Sequence, residues 1–115
     1  MVDDDVDLLE ALSEILESEG FGIRQARNGL QALELLEPLR PDLILLDLMM
    51  PVMDGWEFAE RIRGRPDWAQ IPVIVLSADR NIRDNARKLG AAAYLAKPFE
   101  LSQLLSLVEA SLTSS

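Results

Sequence analysis

Three kinds of side chain in this sequence could do chemistry together: carboxylates at Asp3, Asp4 and Asp47, a hydroxyl at Ser77 and an ammonium at Lys97. Each has a plain alternative. Asp4 or Asp5 could cap a helix, Asp47 could serve a turn, Ser77 could bond backbone, and Lys97 could be a solvated charge. Gathered in one place they become something else. Two carboxylates about 4 Å apart repel by about 4 kcal/mol at an effective dielectric of roughly 20. Lys97 offers one positive charge against three negative ones, so either a carboxylate takes up a proton or a divalent cation joins them. A carboxylate beside such a cation, an ammonium and a hydroxyl is equipped to accept a phosphoryl group. That transfer needs little beyond an in-line nucleophile and fixed charges on the phosphoryl oxygens. Asp47 is the natural nucleophile, and the adjacent Asp3 and Asp4 are better suited to holding metal.

The elements that must position these groups follow from hydropathy patterning. Leu43 to Leu46 and Val73 to Leu76 are unbroken apolar runs too short for helices, as in parallel strands covered on both faces. Asp47 ends the first and Ser77 the second. A run of small residues, Ala91 to Ala96, ends at Lys97, and Met1-Val2 runs straight into Asp3-Asp4. Phe21 to Ala26 alternates loosely and suits an edge strand. Between these lie helical patterns: Leu8 to Leu16 stopping at Gly20; Leu30 to Leu36, capped by Asn28 and ended before Pro38; Phe58 to Ile62, ending near Gly64; Ile82 to Leu89, ending at Gly90; and Leu101 to Leu112. Strands alternating with helices predict one α/β domain over residues 1–115, a parallel sheet wrapped on both sides. In such sheets ligands bind beyond the carboxyl ends of the strands, where four of the five strands deliver the polar residues above.

Composition narrows the chemistry. The 115 residues hold no Cys and no His, which removes disulfides, thiolate nucleophiles, Ser-His triads and the usual zinc or copper ligands. The metal expected is therefore hard: magnesium, manganese or calcium. Twenty acidic residues against eleven basic ones give a net charge of −9, which disfavours direct contact with nucleic acid or anionic lipid. No apolar run approaches the roughly 18 residues that cross a bilayer, and no signal peptide opens the chain, so a cytoplasmic location is expected.

The acidic pair Asp3-Asp4, the segment Asp47-Leu-Met-Met-Pro-Val-Met-Asp-Gly55, Ser77-Ala78 and Lys97-Pro98-Phe99 occur together in one order along the whole chain. This set resembles the receiver domain of bacterial response regulators in two-component signalling. The resemblance implies a flavodoxin-like, three-layer α/β/α fold with five parallel strands in the order 2-1-3-4-5 and five helices. It implies that Asp47 is the phosphoacceptor and that Mg2+ is held by Asp4 and Asp47 directly, by Asp3 through a water, and by the backbone carbonyl of Met49. Ser77 then resembles the switch hydroxyl, Lys97 the ammonium paired with the phosphoryl group, and Tyr94 the aromatic switch residue. A partly buried core position is the other reading of Tyr94. The Lys97-Pro98 bond is cis in that family. Met49 and Asp79, two residues past the phosphoacceptor and the switch hydroxyl, are expected to set phosphoryl lifetime. One departure stands out: only Met1 and Val2 precede the acidic pair, so the central first strand is expected either to be abbreviated, at a cost in ladder partners and apolar packing, or to be completed by residues upstream of this sequence.

The partners implied are a sensor histidine kinase or a histidine phosphotransfer protein, an output protein or domain that docks on the face of the fourth helix, fifth strand and last helix, and a homodimer. Arg80, Arg83, Arg87 and Lys88 form a basic cluster on the fourth helix, by default a solvated face and otherwise a docking surface for an acidic partner. Two other classes share parts of the pattern. A magnesium-dependent phosphatase or phosphotransferase using an aspartyl phosphate needs an acid two residues after the nucleophile, where Met49 stands. A flavin module needs a phosphate cradle in the first loop, where Asp3-Asp4-Asp5 repels phosphate.

Overall fold

A computed structural model describes residues 1–3, 5–36, 41–47 and 55–113. Chain order gives α1 (Val6–Ser18), α2 (Gly29–Leu36), β1 (Ile44–Asp47), α3 (Gly55–Arg63), α4 (Pro66–Ala69), β2 (Val73–Ser77), α5 (Ile82–Leu89), β3 (Ala93–Ala96) and α6 (Leu101–Thr113). The unbroken apolar runs are the inner strands. All four residues of β1 are buried, and so are the last four of β2. The small-residue strand β3 alternates half-buried with exposed positions.

The three strands pair in parallel, β1 with β2 and β2 with β3. The first two expected strands are each reduced to a single paired residue, because Val2 bridges Ala26 on one side and Leu46 on the other, both in parallel. Val2 N–H donates to Leu45 O (2.8 Å) and Asp47 N–H to Val2 O (2.9 Å). On the other flank Ala26 N–H donates to Met1 O (2.9 Å) and Asp3 N–H to Ala26 O (3.0 Å). The lateral order is therefore Ala26, Val2, β1, β2, β3, which is 2-1-3-4-5 in chain order. The expected strand over Phe21 to Ala26 is bonded to its neighbour at Arg24, whose carbonyl accepts from Met1 N (2.8 Å), and at Ala26, and pairs as a bridge only at Ala26.

Alternate residues of the sheet feed two cores, as the period of two requires. Ile44, Leu46 and Val75 pack with Ala32 and Leu36 of α2, Phe58 and Ile62 of α3, and Ile82, Ala86 and Leu89 of α5. Leu45, Ile74 and Leu76 pack on the opposite face with Leu12 and Leu16 of α1 and Leu104 and Val108 of α6. The result is the expected three-layer arrangement. Among the described residues there are six helices where five were expected. The extra one, α4, is a single turn with Pro66 at its start, held by buried Trp68 against which the Arg65 guanidinium stacks at 3.8 Å from the ring centre. No helix among the described residues is long and apolar enough to cross a membrane.

Helix ends follow their sequence signals. Asn28 Oδ1 accepts from Gln31 N–H (2.9 Å) at the start of α2, and Asp5 Oδ1 accepts from Leu8 N–H (3.1 Å) at the start of α1. Of the two acids weighed as caps, Asp5 takes that task. At the end of the sheet opposite the acidic pair lies an apolar cavity of about 380 Å³, lined among others by Phe21, Ile23, Leu36, Leu43 and Leu112. Met1 and Val2 also line it.

Two glycines of the turn after α1 should respond oppositely to alanine. Gly20 has a φ of +95°, which L residues rarely adopt, so Gly20→Ala is expected to cost about 1–2 kcal/mol. Gly22 has no such φ, and a Cβ there meets nothing within 4 Å. Gly22→Ala should stabilise by about 0.4–1 kcal/mol through the unfolded chain. Urea midpoints of the two variants, moving in opposite directions from wild type, are the check.

Candidate functional site

Asp47 is the last residue of β1, and the ladder sets Asp47 opposite Leu76 and Ser77 opposite Ala96. Lys97 follows directly, its N–H donating to Ser77 O (2.8 Å), so the backbone ties the lysine to the hydroxyl-bearing residue. Asp3 is placed beside Asp47 by the bonds that Val2 makes to β1. These residues stand at the carboxyl end of the sheet because each follows the apolar stretch that anchors it.

Asp3 and Asp47 are buried, at 4% and 6% exposure, and the carboxylates of both face one ammonium. Lys97 Nζ donates to Asp3 Oδ2 at 2.7 Å and stands 3.6 Å from Asp47 Oδ2. Asp3 Oδ1 accepts from Asp5 N–H (2.9 Å), which orients the carboxylate. Two buried acids on one lysine leave a local excess of negative charge in a donor set made of hard oxygens. That is the composition that suits Mg2+ rather than a softer ion. Asp4 and Met49, the other residues expected at the metal, lie outside the described residues. Among the described residues no group of three or more acid, His or Cys side chains gathers.

Ser77 is fully buried, and its Oγ accepts from Asp79 N–H (3.1 Å). Tyr94 lies on β3, 42% exposed, so it does not occupy the partly buried core position weighed for it. The Lys97–Pro98 peptide is cis. Arg80, Arg83, Arg87 and Lys88 are all exposed, but Arg80 lies in the turn before α5 rather than on the helix. One arrangement escaped sequence reading. Asp79 Oδ1 accepts from Asn81 N–H (2.8 Å), Oδ2 from Asn85 Nδ2 (3.3 Å), and Asp79 O from Ile82 N–H (3.2 Å). Asp79 thus fastens the start of α5, although Asn81 occupies the cap position and makes no side-chain cap bond.

Burial alone would lower the Lys97 pKa, but the hydrogen bond and charge of Asp3, joined by Asp47, outweigh it and hold the ammonium above the ordinary lysine value of 10.5. A folded-state pKa that is raised contributes stability present in full below the unfolded pKa and lost as pH rises through the folded one. Without divalent metal, this contribution should be constant from neutral pH to about pH 10 and fall away above it. Urea midpoints of wild type minus Lys97→Met across that range should shrink only at the alkaline end.

The whole of residues 1–109 matches the family model described as the response regulator receiver domain. The chain belongs to the response regulator receiver family. Its receiver domain is 39% identical over 112 residues to the DNA-binding dual master transcriptional regulator RpaA of Synechocystis sp., covering 96% of this chain and 46% of that protein. It is 38% identical over 111 residues to the probable transcriptional regulator ycf29 of Porphyra purpurea, covering 95% of this chain and 53% of that protein. The receiver chain therefore spans about half the length of these curated relatives. Among solved structures it is similar to the response regulator TrrA of Thermotoga maritima in complex with Mg2+–BeF, with a TM-score of 0.85 and 33% identity over 96% of this chain and 95% of that one. The flavodoxin-like α/β fold and a role as a receiver domain in two-component signalling follow from these matches.

Proposed function

We propose that Asp47 accepts a phosphoryl group from the phosphohistidine of a sensor kinase or a histidine phosphotransfer protein. The observation that carries this reading is the pair of buried carboxylates, Asp3 and Asp47, held at 2.7 and 3.6 Å from the single ammonium of Lys97. In the transfer, a carboxylate oxygen of Asp47 attacks phosphorus in line and the P–N bond to the donor imidazole breaks. Its electron pair leaves with the imidazole, and an acyl phosphate remains. Lys97 pairs with one phosphoryl oxygen, and Ser77 turns its hydroxyl to donate to another. Asp3, Asp4, Asp47 and the backbone carbonyl of Met49 would hold Mg2+, which would offset the negative charge on the phosphoryl oxygens. Support for that metal comes from the hard-oxygen donor set and from TrrA, described in complex with Mg2+–BeF. Hydrolysis reverses the modification when water attacks phosphorus and restores the carboxylate. The chain catalyses these steps on itself only, and Met49 and Asp79 set the lifetime.

Phosphorylation then biases a two-state equilibrium of α5, β3 and α6, with Tyr94 changing rotamer, and that face engages an output partner or a second copy. The location is cytoplasmic. The negative charge argues against nucleic-acid contact by this chain itself and does not extend to a longer protein, because RpaA, twice its length, is named as DNA-binding. The experiment is stoichiometric. With Mg2+ and a small acyl-phosphate donor, the protein should take up one phosphoryl group and then release phosphate slowly. Rapid multiple turnover of phosphomonoesters would instead identify a phosphatase, the alternative disfavoured by Met49 standing where that chemistry needs an acid.

A further inference from the structure

Ile82 packs the start of α5 into the core, and the side-chain hydrogen bonds found there among the described residues come from Asp79, whose own N–H is bonded to the buried hydroxyl of Ser77. The other end of α5 is held by different groups. Arg63 Nη2 of α3 donates to Lys88 O at 2.9 Å, and Gly90, in the left-handed region at φ +71°, bonds back to Ala86 O and Arg87 O. A hydrogen-bonded turn thus links Ser77 to the N-terminal end of α5, while the C-terminal end is anchored to α3.

We propose that Asp79 is a positioning residue that couples the rotamer of Ser77 to the N-terminal end of α5, so that the helix pivots about its Arg63-bound end. The proposal rests on the phosphoacceptor reading of Asp47. When Ser77 turns its hydroxyl toward a phosphoryl oxygen, Oγ leaves the Asp79 N–H. The turn over residues 77–79 loses the bond that closes it, and the Asp79 carboxylate loses its fixed aim at Asn81 and Asn85. The first turn of α5 loosens while its last turn stays tied. Arg80 and Arg83, near the moving end, are displaced more than Arg87 and Lys88, so the basic face changes shape with phosphorylation. This coupling is specific to the side chains present: above all an acceptor oxygen at 79 that reaches the Asn81 amide, with Asn85 reaching back to the same side chain.

The test is hydrogen exchange of the Ile82–Asn85 amides in the full chain, before and after phosphorylation by a small acyl-phosphate donor with Mg2+, with intact mass read on the same samples. In wild type, phosphorylation should speed exchange of these amides about fivefold, the effect of losing a typical cap. Asp79→Ala should show that faster exchange already at rest and respond to phosphorylation by less than about twofold. Asp79→Asn, whose Oδ1 can still accept from Asn81, should keep the wild-type response. Arg63→Ala should loosen the Leu89–Gly90 end and leave the first-turn response intact, which separates coupling from general loss of stability. Phosphoryl uptake with an undiminished response in Asp79→Ala overturns the coupling alone. Absence of uptake by wild type overturns the phosphoacceptor reading and the coupling with it.

Discussion

Asp47→Asn is expected to take up no phosphoryl group from a small donor under conditions where wild type takes up one. The substitution keeps the shape of the side chain at the end of β1 and removes the nucleophilic carboxylate, so the loss should be complete rather than partial. The fold should survive and gain in metal-free buffer. Asp3 and Asp47 both stand within 3.6 Å of Lys97 Nζ, so their charged oxygens are at most about 6 Å apart. Two negative charges at that distance repel by about 3 kcal/mol at an effective dielectric of roughly 20. Neutralising one leaves Asp3 and Lys97 as a balanced pair. A urea midpoint at or above that of wild type without Mg2+, together with no mass gain, is the expected combination. A variant that unfolds, or that still gains a phosphoryl group, contradicts it.

Lys97→Ala is expected to slow phosphorylation by about 10²–10³-fold, the usual cost of removing one fixed positive or hydrogen-bonding group from a site where oxyanion charge develops. It should also destabilise the metal-free protein by about 1–3 kcal/mol. Removal leaves Asp3 buried without its 2.7 Å partner, and a buried charged acceptor without a donor is costly. Mg2+ should restore much of the stability, since it meets the same carboxylates, but not the rate, since the ammonium works on the phosphoryl oxygens. Lys97→Arg should not rescue the rate, because a planar fork cannot replace a compact ammonium in a pocket shaped for one. Rates by intact mass and urea midpoints with and without Mg2+ check both halves.

Much of this arrangement was legible in the sequence, because its strongest signals are local. Leu43–Leu46 and Val73–Leu76 could only be covered strands, and the polar residue that ends each run is the one delivered to the sheet's carboxyl edge. The match of the five polar positions to one family then set the strand order, which the two bridges of Val2 realise with almost no strand on either side. Features that depend on few residues or on distant ones were not legible. The single turn α4 has too short a pattern to declare a period, although Pro66 is a start signal. The role of Asp79 at the start of α5 was not legible, because cap preference names residue types while the closing of the turn on Ser77 decides which acceptor reaches the amide. The Arg63 bond to Lys88 O joins residues 25 apart and leaves no local trace. Tyr94 was open between two positions because a small-residue edge strand gives no alternation to place it.

Esterification of one particular carboxylate is tested by locating the phosphoryl group on the chain. Wild-type protein phosphorylated by a small acyl-phosphate donor with Mg2+ should be trapped by reduction of the acyl phosphate, cleaved and fragmented in the mass spectrometer to locate the modified residue. A single modified position, Asp47, is the expected result. Modification at Asp3 or Ser77 instead, or at no position while donor and Mg2+ are in excess, would contradict it.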